Sequence, residues 1–270
     1  MSTHLASQLK SELFSRYSLV PSEQWLSDFL SGSRNPSHPL PSLTSTAHFR
    51  LLSTDFTTAL SRRQGQLFPS TISDVHTKEL VLQTDIPVQV LDIQDTSTSK
   101  WAQIEAIERV ERGEEIRGRE VIRNVPGVND DDNGNGGEQA RDSSSRPSAA
   151  SSSNVPSDSK KGSTGPHKLL LQDAAGSKAW AFEMSRVERI TIVNSNPPMP
   201  GAAAAQVPAE GIQIGCKLVL KKGTKVRRGL IMMTPASTTI MGGRVEIWDK
   251  KWRDGRKARL KQELERENAN

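Results

Sequence analysis

A small helical unit followed by an all-β barrel and a charged terminal helix is the architecture this sequence predicts, from three observations. Apolar residues recur at helical spacing from Leu5 to about Arg63. From Ile86 the texture changes to short runs of branched residues separated by Gly and Pro. From Asp249 to about Glu267 the chain is charged, with few apolar residues after Trp252. Only 34% of the 270 residues are hydrophobic and 4% aromatic, so the material for a core is concentrated in parts of the chain. The expected division is a helical leader over 1–66, a barrel over 67–248 and a charged helix over 249–270.

In the leader, Leu5, Leu9, Leu13 and Phe14 lie on one helical face. Pro21-Ser22 opens a second helix carrying Trp25, Leu26, Phe29 and Leu30, and Gly32 ends it. The prolines of "NPSHPLPS" mark a loop, and a third helix is expected from Thr44 or Ser45 with Phe49, Leu52, Phe56 and Leu60. Tyr17, the sole tyrosine, reads as a packing residue of this unit.

In the β region, "IPVQVLDIQD" is the first strand, and "KLLLQD" and "KAWAFEM" form a hairpin turning at Gly176. Trp180, Phe182 and Met184 share one face of its second arm, expected to be the buried one, and Ala179, Ala181 and Glu183 the other. "CKLVLKK", "KVRRGLIMM" and "STTIMGG" give three further strands separated by Gly223 and Pro235. Many short strands of this kind build a small barrel or sandwich. Leu230, Met232 and Ile240 are expected in its core. Gly229 allows a strand to bend or another backbone to approach, Pro235 belongs in a turn, and Gly242-Gly243 fits a bulge or sharp exit at the rim.

Between the first two strands, Asn124 to His167 is Ser, Gly, Asn, Asp and Pro almost throughout. It cannot bury enough apolar surface to offset its ordering entropy, so it is expected to be disordered. A second loose stretch runs from Asn194 to Gly211.

Charge is lopsided. Lys217 to Lys261 holds 14 Lys+Arg against three acids. A basic face of this kind contacts a polyanion or an acidic partner, or is simply solvated. Cys216 is the only cysteine, which excludes an intramolecular disulfide and a cysteine-based zinc site and fits a reducing compartment. The five histidines show no metal-ligand spacing, and there is no phosphate-binding loop or nucleophile elbow, so no catalytic residue, metal or cofactor is expected. No signal peptide and no apolar run near ~18 residues is found, so the expectation is a soluble intracellular protein with no membrane partner.

The segment "GIQIGCKLVLKKGTKVRRGLIMMTPASTTIMGGRVE" resembles the oligonucleotide-binding-type (OB-fold) barrel of the RecQ-mediated genome instability protein family. The hairpin "GPHKLLLQDAAGSKAWAFEM" and the N-terminal helices resemble the same family's preceding elements, so the likeness runs from Leu5 to Trp252. The resemblance implies a non-catalytic nuclear scaffold that binds topoisomerase III and acts with a RecQ-type helicase on recombined or catenated DNA. It also implies that the loop after the first barrel strand reaches into the topoisomerase. Here Val121, Ile122, Val125 and Pro126 stand at the edge of that insertion, as a partner-docking segment or as a strand extension. The alternative function is direct single-strand DNA binding, with Lys221, Lys222, Lys225, Arg227 and Arg228 and the helix residues Lys250, Lys251, Arg256, Lys257 and Arg259 on phosphates. Aromatics expected to be buried weigh against it as the principal role.

Overall fold

The structure, a computed structural model, describes residues 2–32, 39–112, 163, 165–192 and 211–269. The helical unit comprises α1 (Ser2–Tyr17), α2 (Glu23–Gly32), α3 (Leu40–Ser53) and the single turn α4 (Phe56–Ala59). Leu9, Leu13, Leu26, Phe29, Leu43, Ala47, Leu51 and Phe56 form its core. The Ser22 hydroxyl accepts from the Trp25 N–H at 3.2 Å and so caps α2. Tyr17 stacks on His48 with ring centroids 3.7 Å apart.

The third helix departs from the sequence reading at both ends. It begins at Leu40 because Pro41 sits in the first turn, where a missing N–H costs nothing. It stops at Ser53, and Asp55 starts α4 by accepting from the Thr57 N–H at 2.9 Å. Phe49 and Leu52 therefore do not share a helix with Phe56 and Leu60. Leu43, Ala47 and Leu51 point inward instead, and Phe49 is 75% exposed. Phe14 likewise lies outside the core, under the Arg63 guanidinium.

Among the described residues eight strands follow: β1 (Leu80–Val81), β2 (Ile86–Asp95), β3 (His167–Gln172), β4 (Lys178–Glu183), β5 (Lys217–Leu220), β6 (Lys225–Arg227), β7 (Leu230–Met233) and β8 (Thr238–Gly242). Their order in the sheet is β1-β6-β7-β4-β3-β2-β5-β8, antiparallel except for the parallel pair β4–β7. The pairs β5–β8 and β6–β7 are two halves of one bent hairpin, joined where the Lys221 N–H donates to Ser237 O at 2.9 Å. The two ends of the strand order are thereby tied together and the sheet curls into a barrel. Val88, Val90, Leu169, Leu171, Leu218, Ile231 and Met233 fill it.

Two details correct the expected strands. "KVRRGLIMM" is two strands, because Arg228 (φ 49°) and Gly229 (φ 74°) both turn left-handed between them. A Cβ at Gly229 would lie 2.6 Å from the Ser73 carbonyl oxygen, so the glycine permits a close backbone approach. On β4 the faces are reversed. Ala179, Ala181 and Glu183 are buried, whereas Trp180 and Phe182 are only partly covered and Met184 is 57% exposed. On β7, Ile231 and Met233 are buried, and Leu230 and Met232 lie on the outer side; Ile240 on β8 is partly covered and packs against the barrel core. The interior of a small barrel is narrow and admits alanine where tryptophan would not fit. Pro235 lies in the β7–β8 turn, as expected, and is exposed.

Helix α5 (Lys100–Glu111), which sequence reasoning did not anticipate, follows β2; the Ser99 hydroxyl caps it by accepting from the Ala102 N–H. It packs on α6 (Glu246–Asn268). Lys100 pairs with Glu263 and Glu267, Lys257 with Glu108 and Glu111, and Lys261 with Glu108. Trp252 fastens α6 to the barrel by donating its indole N–H to Asp92 Oδ1 at 2.6 Å. Most of the tract from Asn124 to His167 lies outside the described residues, but its last residue does not: His167 is fully buried as the first residue of β3.

A polar knot joins the helical unit to the barrel. Gln89 Oε1 accepts from the Phe56 N–H (2.9 Å) and from Lys217 Nζ (2.8 Å), and Gln89 Nε2 donates to Asp55 Oδ1 (2.7 Å) and Gln172 Oε1 (3.0 Å). Lys217 is thus fully buried, with its ammonium 4.7 Å from the Phe56 ring centroid, and adds nothing to the basic face. Gly243 sits at the same seam, its α-carbon packed against the backbone of Leu52.

Candidate interaction surfaces of the barrel

The basic residues of the C-terminal third do not form one open patch. Lys221 pairs with Asp85 at 3.4 Å, and Lys225 and Arg227 share Glu79 at 3.6 and 2.9 Å. The Arg227 hydrogen bond, with Lys225 beside it, holds the Glu79 carboxyl below the usual carboxylate range. On α6, Lys257 is taken up by Glu108 and Glu111. Arg256 donates to Gln103 Oε1 at 3.1 Å and lies over the Trp252 ring, and burial lowers its pKa to about 10. Arg259 donates to the Trp252 carbonyl at 2.7 Å. These six are held within the molecule. Lys222, Arg228, Lys250 and Lys251 are exposed and make no ion pair with a carboxylate among the described residues.

An aromatic surface appears instead on the outer face of β3, β4 and β7. Register places Leu170 beside Trp180 and Lys168 beside Phe182, with Leu230 and Met232 flanking the same two aromatics from β7. The Lys168 ammonium lies 4.5 Å from the Trp180 ring centroid. A platform of half-covered rings beside lysines is what sequence-tolerant stacking of bases uses. Two alanines alternating with two bulky rings were the signal in the sequence, since a tight interior takes the small side chains.

At the foot of the insertion, the Ser163 hydroxyl lies 3.1 Å from His167 Nε2, and His167 Nδ1 lies 2.7 Å from Glu183 Oε2. The order of groups is that of a nucleophile relay, but the His167 and Glu183 side chains are 0% and 2% exposed. Burial pushes the Glu183 carboxyl up, yet hydrogen bonds from His167 and from the Val187 N–H hold it below the usual range. The Ser163 hydroxyl also bonds to Asp95, and its carbonyl accepts from Thr191 at 2.6 Å. The arrangement is a clamp that pins both strand ends and the segment after β4. Among the described residues no cluster of His, Cys, Asp or Glu has the form of a metal site, and no helix is long and apolar enough to cross a membrane. Val121, Ile122, Val125 and Pro126 lie outside the described residues.

A helical unit docked on a curled barrel, with a long excursion between its first two long strands, defines an OB-fold protein with a helical leader. The family description "RMI1, N-terminal OB-fold domain" matches residues 68–202 and 204–256, and "RMI1, N-terminal helical domain" matches 13–59. The chain belongs to the RMI1 family. It is 27% identical over 185 residues to RecQ-mediated genome instability protein 1 of Schizosaccharomyces pombe, an overlap of 67% of this chain. That overlap is 64% of the relative's length, a little under two thirds.

Proposed function

We propose that this protein is a non-catalytic nuclear scaffold subunit that binds topoisomerase III and, with a RecQ-type helicase, supports the unlinking of recombined DNA. The observation that carries the reading is the collinear family match through both the helical unit and the barrel. The relative's own name ties that protein to RecQ. The insertion leaves and re-enters the barrel at Asp95 and His167, which are paired in the ladder, so it projects from one fixed place. The test is co-purification of the full chain with topoisomerase III. Replacing Val121, Ile122 and Val125 together by Asp should weaken that pair more than tenfold, or 1.4 kcal/mol. Unchanged affinity would move the interface off the insertion.

A second reading, direct binding of single-stranded DNA, is favoured by the outward Trp180 and Phe182. Four free cations, Lys222, Arg228, Lys250 and Lys251, each add about 0.7 to the salt slope, for a total near ~3. Affinity for an oligo-dT strand should then fall roughly 50-fold between 50 and 200 mM salt. Trp180→Ala should weaken it at least about fivefold, since stacking contributes ~1–3 kcal/mol per base. Binding indifferent to both changes would remove DNA from the barrel face. The topoisomerase contact, resting on apolar anchors, should change far less with salt.

A further inference from the structure

A groove of about 350 Å³ runs along the seam between α3 and the barrel. One wall is α3, with Phe49 and Leu52; the other includes Ile212 and Ile240, and the polar side chains of the lining are Arg189, Arg244, Ser53 and Gln213. Three features mark it as more than a packing gap. Phe49 is 75% exposed, although it stands on a helix whose opposite face, with Leu43, Ala47 and Leu51, is fully used by the core. An aromatic left in water beside half-covered aliphatic side chains loses burial that an incoming apolar group would restore.

The second feature is Arg189. Among the described residues it is one of three non-glycines with positive φ, at 70°, a conformation that costs an L-residue energy and persists where the surroundings impose it. Its guanidinium passes beside Gly242, where a Cβ would lie only 3.3 Å from Nη2. Gly242, itself at φ +90°, leaves room for this cation beside the groove. Arg189 forms no ion pair among the described residues, and Arg244 has only an exposed Glu246 at 3.8 Å, a contact of little energy.

The third feature is rigidity. Gly243 is packed against the Leu52 backbone so closely that its Cβ would lie 2.3 Å from the Leu52 oxygen, so the two walls are fixed to each other and the groove exists before anything enters it. A preformed slot avoids ordering costs on binding.

We infer that this groove is a docking site for a short acidic segment of a partner protein, which inserts an aromatic or branched side chain between Phe49 and Ile240. Its carboxylates meet Arg189 and Arg244, where bidentate guanidinium–carboxylate pairing is available. Leu52, Ile212 and Ile240 give the groove an aliphatic floor that suits a branched or aromatic anchor, and Ser53 and Gln213 in the same lining offer hydrogen bonds to a peptide backbone. The inference does not depend on the scaffold reading above, since it concerns a different surface from the insertion.

The experiment is selection of a phage-displayed library of random ten-residue peptides on the full chain, followed by fluorescence anisotropy with the enriched peptide. The expected consensus is one Phe, Leu or Ile beside two or more Asp or Glu. Phe49→Ala and Arg189→Gly should each lower the affinity at least tenfold. Both keep the fold, since Phe49 is exposed and glycine relieves the left-handed backbone. A consensus without acids, no enrichment, or affinity unchanged in both variants would overturn the proposal. So would displacement of the peptide by equimolar oligo-dT, which would assign the groove to nucleic acid. Affinity that rises when residues 195–208 are replaced by a short Gly-Ser linker would assign the groove to this chain's own segment and overturn it as well.

Discussion

Gly243→Val should lower stability by roughly 2–5 kcal/mol. Two independent costs add at this residue. Its φ of +79° is one that a β-branched residue adopts only under strain, of order 1–2 kcal/mol. Its Cβ would stand 2.3 Å from the Leu52 carbonyl oxygen and 2.9 Å from the carbonyl carbon, both backbone atoms that cannot swing aside. Relief requires moving α3 away from the barrel, at a cost typical of overpacking, about 1–3 kcal/mol. Thermal unfolding of the parent, Gly243→Ala and Gly243→Val reads both terms. Alanine should already cost most of the total, because the collision is with the first side-chain carbon. An alanine variant as stable as the parent would show that the seam yields freely.

Stability should rise with pH between about 7 and 9, and Lys217→Met should remove that rise. Burial is the chief cause that lowers the Lys217 pKa to about 7, with Asp55 opposing it. In the unfolded chain the same ammonium holds its proton to about 10.4. Between these values the unfolded state binds a proton that the folded state has released, so stability climbs with pH by up to about 1.4 kcal/mol per unit. Below the folded value both states are protonated and the full penalty of a buried charge applies. Above about 9 the sign is opposed by Cys216, whose thiol burial pushes up to about 11, so that it stays protonated in the fold after ionising in the unfolded chain. Methionine replaces the aliphatic stem, and Gln89 Oε1 keeps the Phe56 N–H as a donor. Urea midpoints at pH 6, 7, 8 and 9 for both proteins isolate the effect as a difference of slopes. Parallel profiles would mean that the lysine keeps its proton in the folded state.

Local signals carried much of the fold in the sequence. Ser22 and Gly32 bound α2, and Gly176 turns the β3–β4 hairpin, where the buried Asp173 carboxylate accepts from the Ala175 and Ser177 N–H groups. What failed was each inference that needed a partner distant in sequence. Alternation along "KAWAFEM" gives two faces but does not say which one the barrel encloses. That is decided by β3 on one side and β7 on the other, and by His167, which draws Glu183 inward. Lys217 looked like part of a basic run because its environment is built by Gln89 and Phe56, more than a hundred residues upstream. The same holds for Arg256, which donates to Gln103, and Lys257, which pairs with Glu108, both on the helix over 100–111 that the sequence pattern does not announce. For the candidate surfaces, the composition of the basic stretch was legible, but not which of its cations remain available.

The clamp at Ser163, His167 and Asp95 has a consequence for how this family can change. The excursion between β2 and β3 starts and finishes at residues that face each other in the ladder, and beyond α5, which packs on α6, the barrel registers only that its two ends meet. The entropy cost of closing a loop rises only with the logarithm of its length, by ~0.6 kcal/mol for each doubling. Descendants of such a chain can therefore acquire or shed dozens of residues there while the barrel keeps nearly the same free energy of folding. Reach toward a partner becomes a quantity on which selection acts separately from the fold, and the buried histidine is the hinge pin that keeps the two apart.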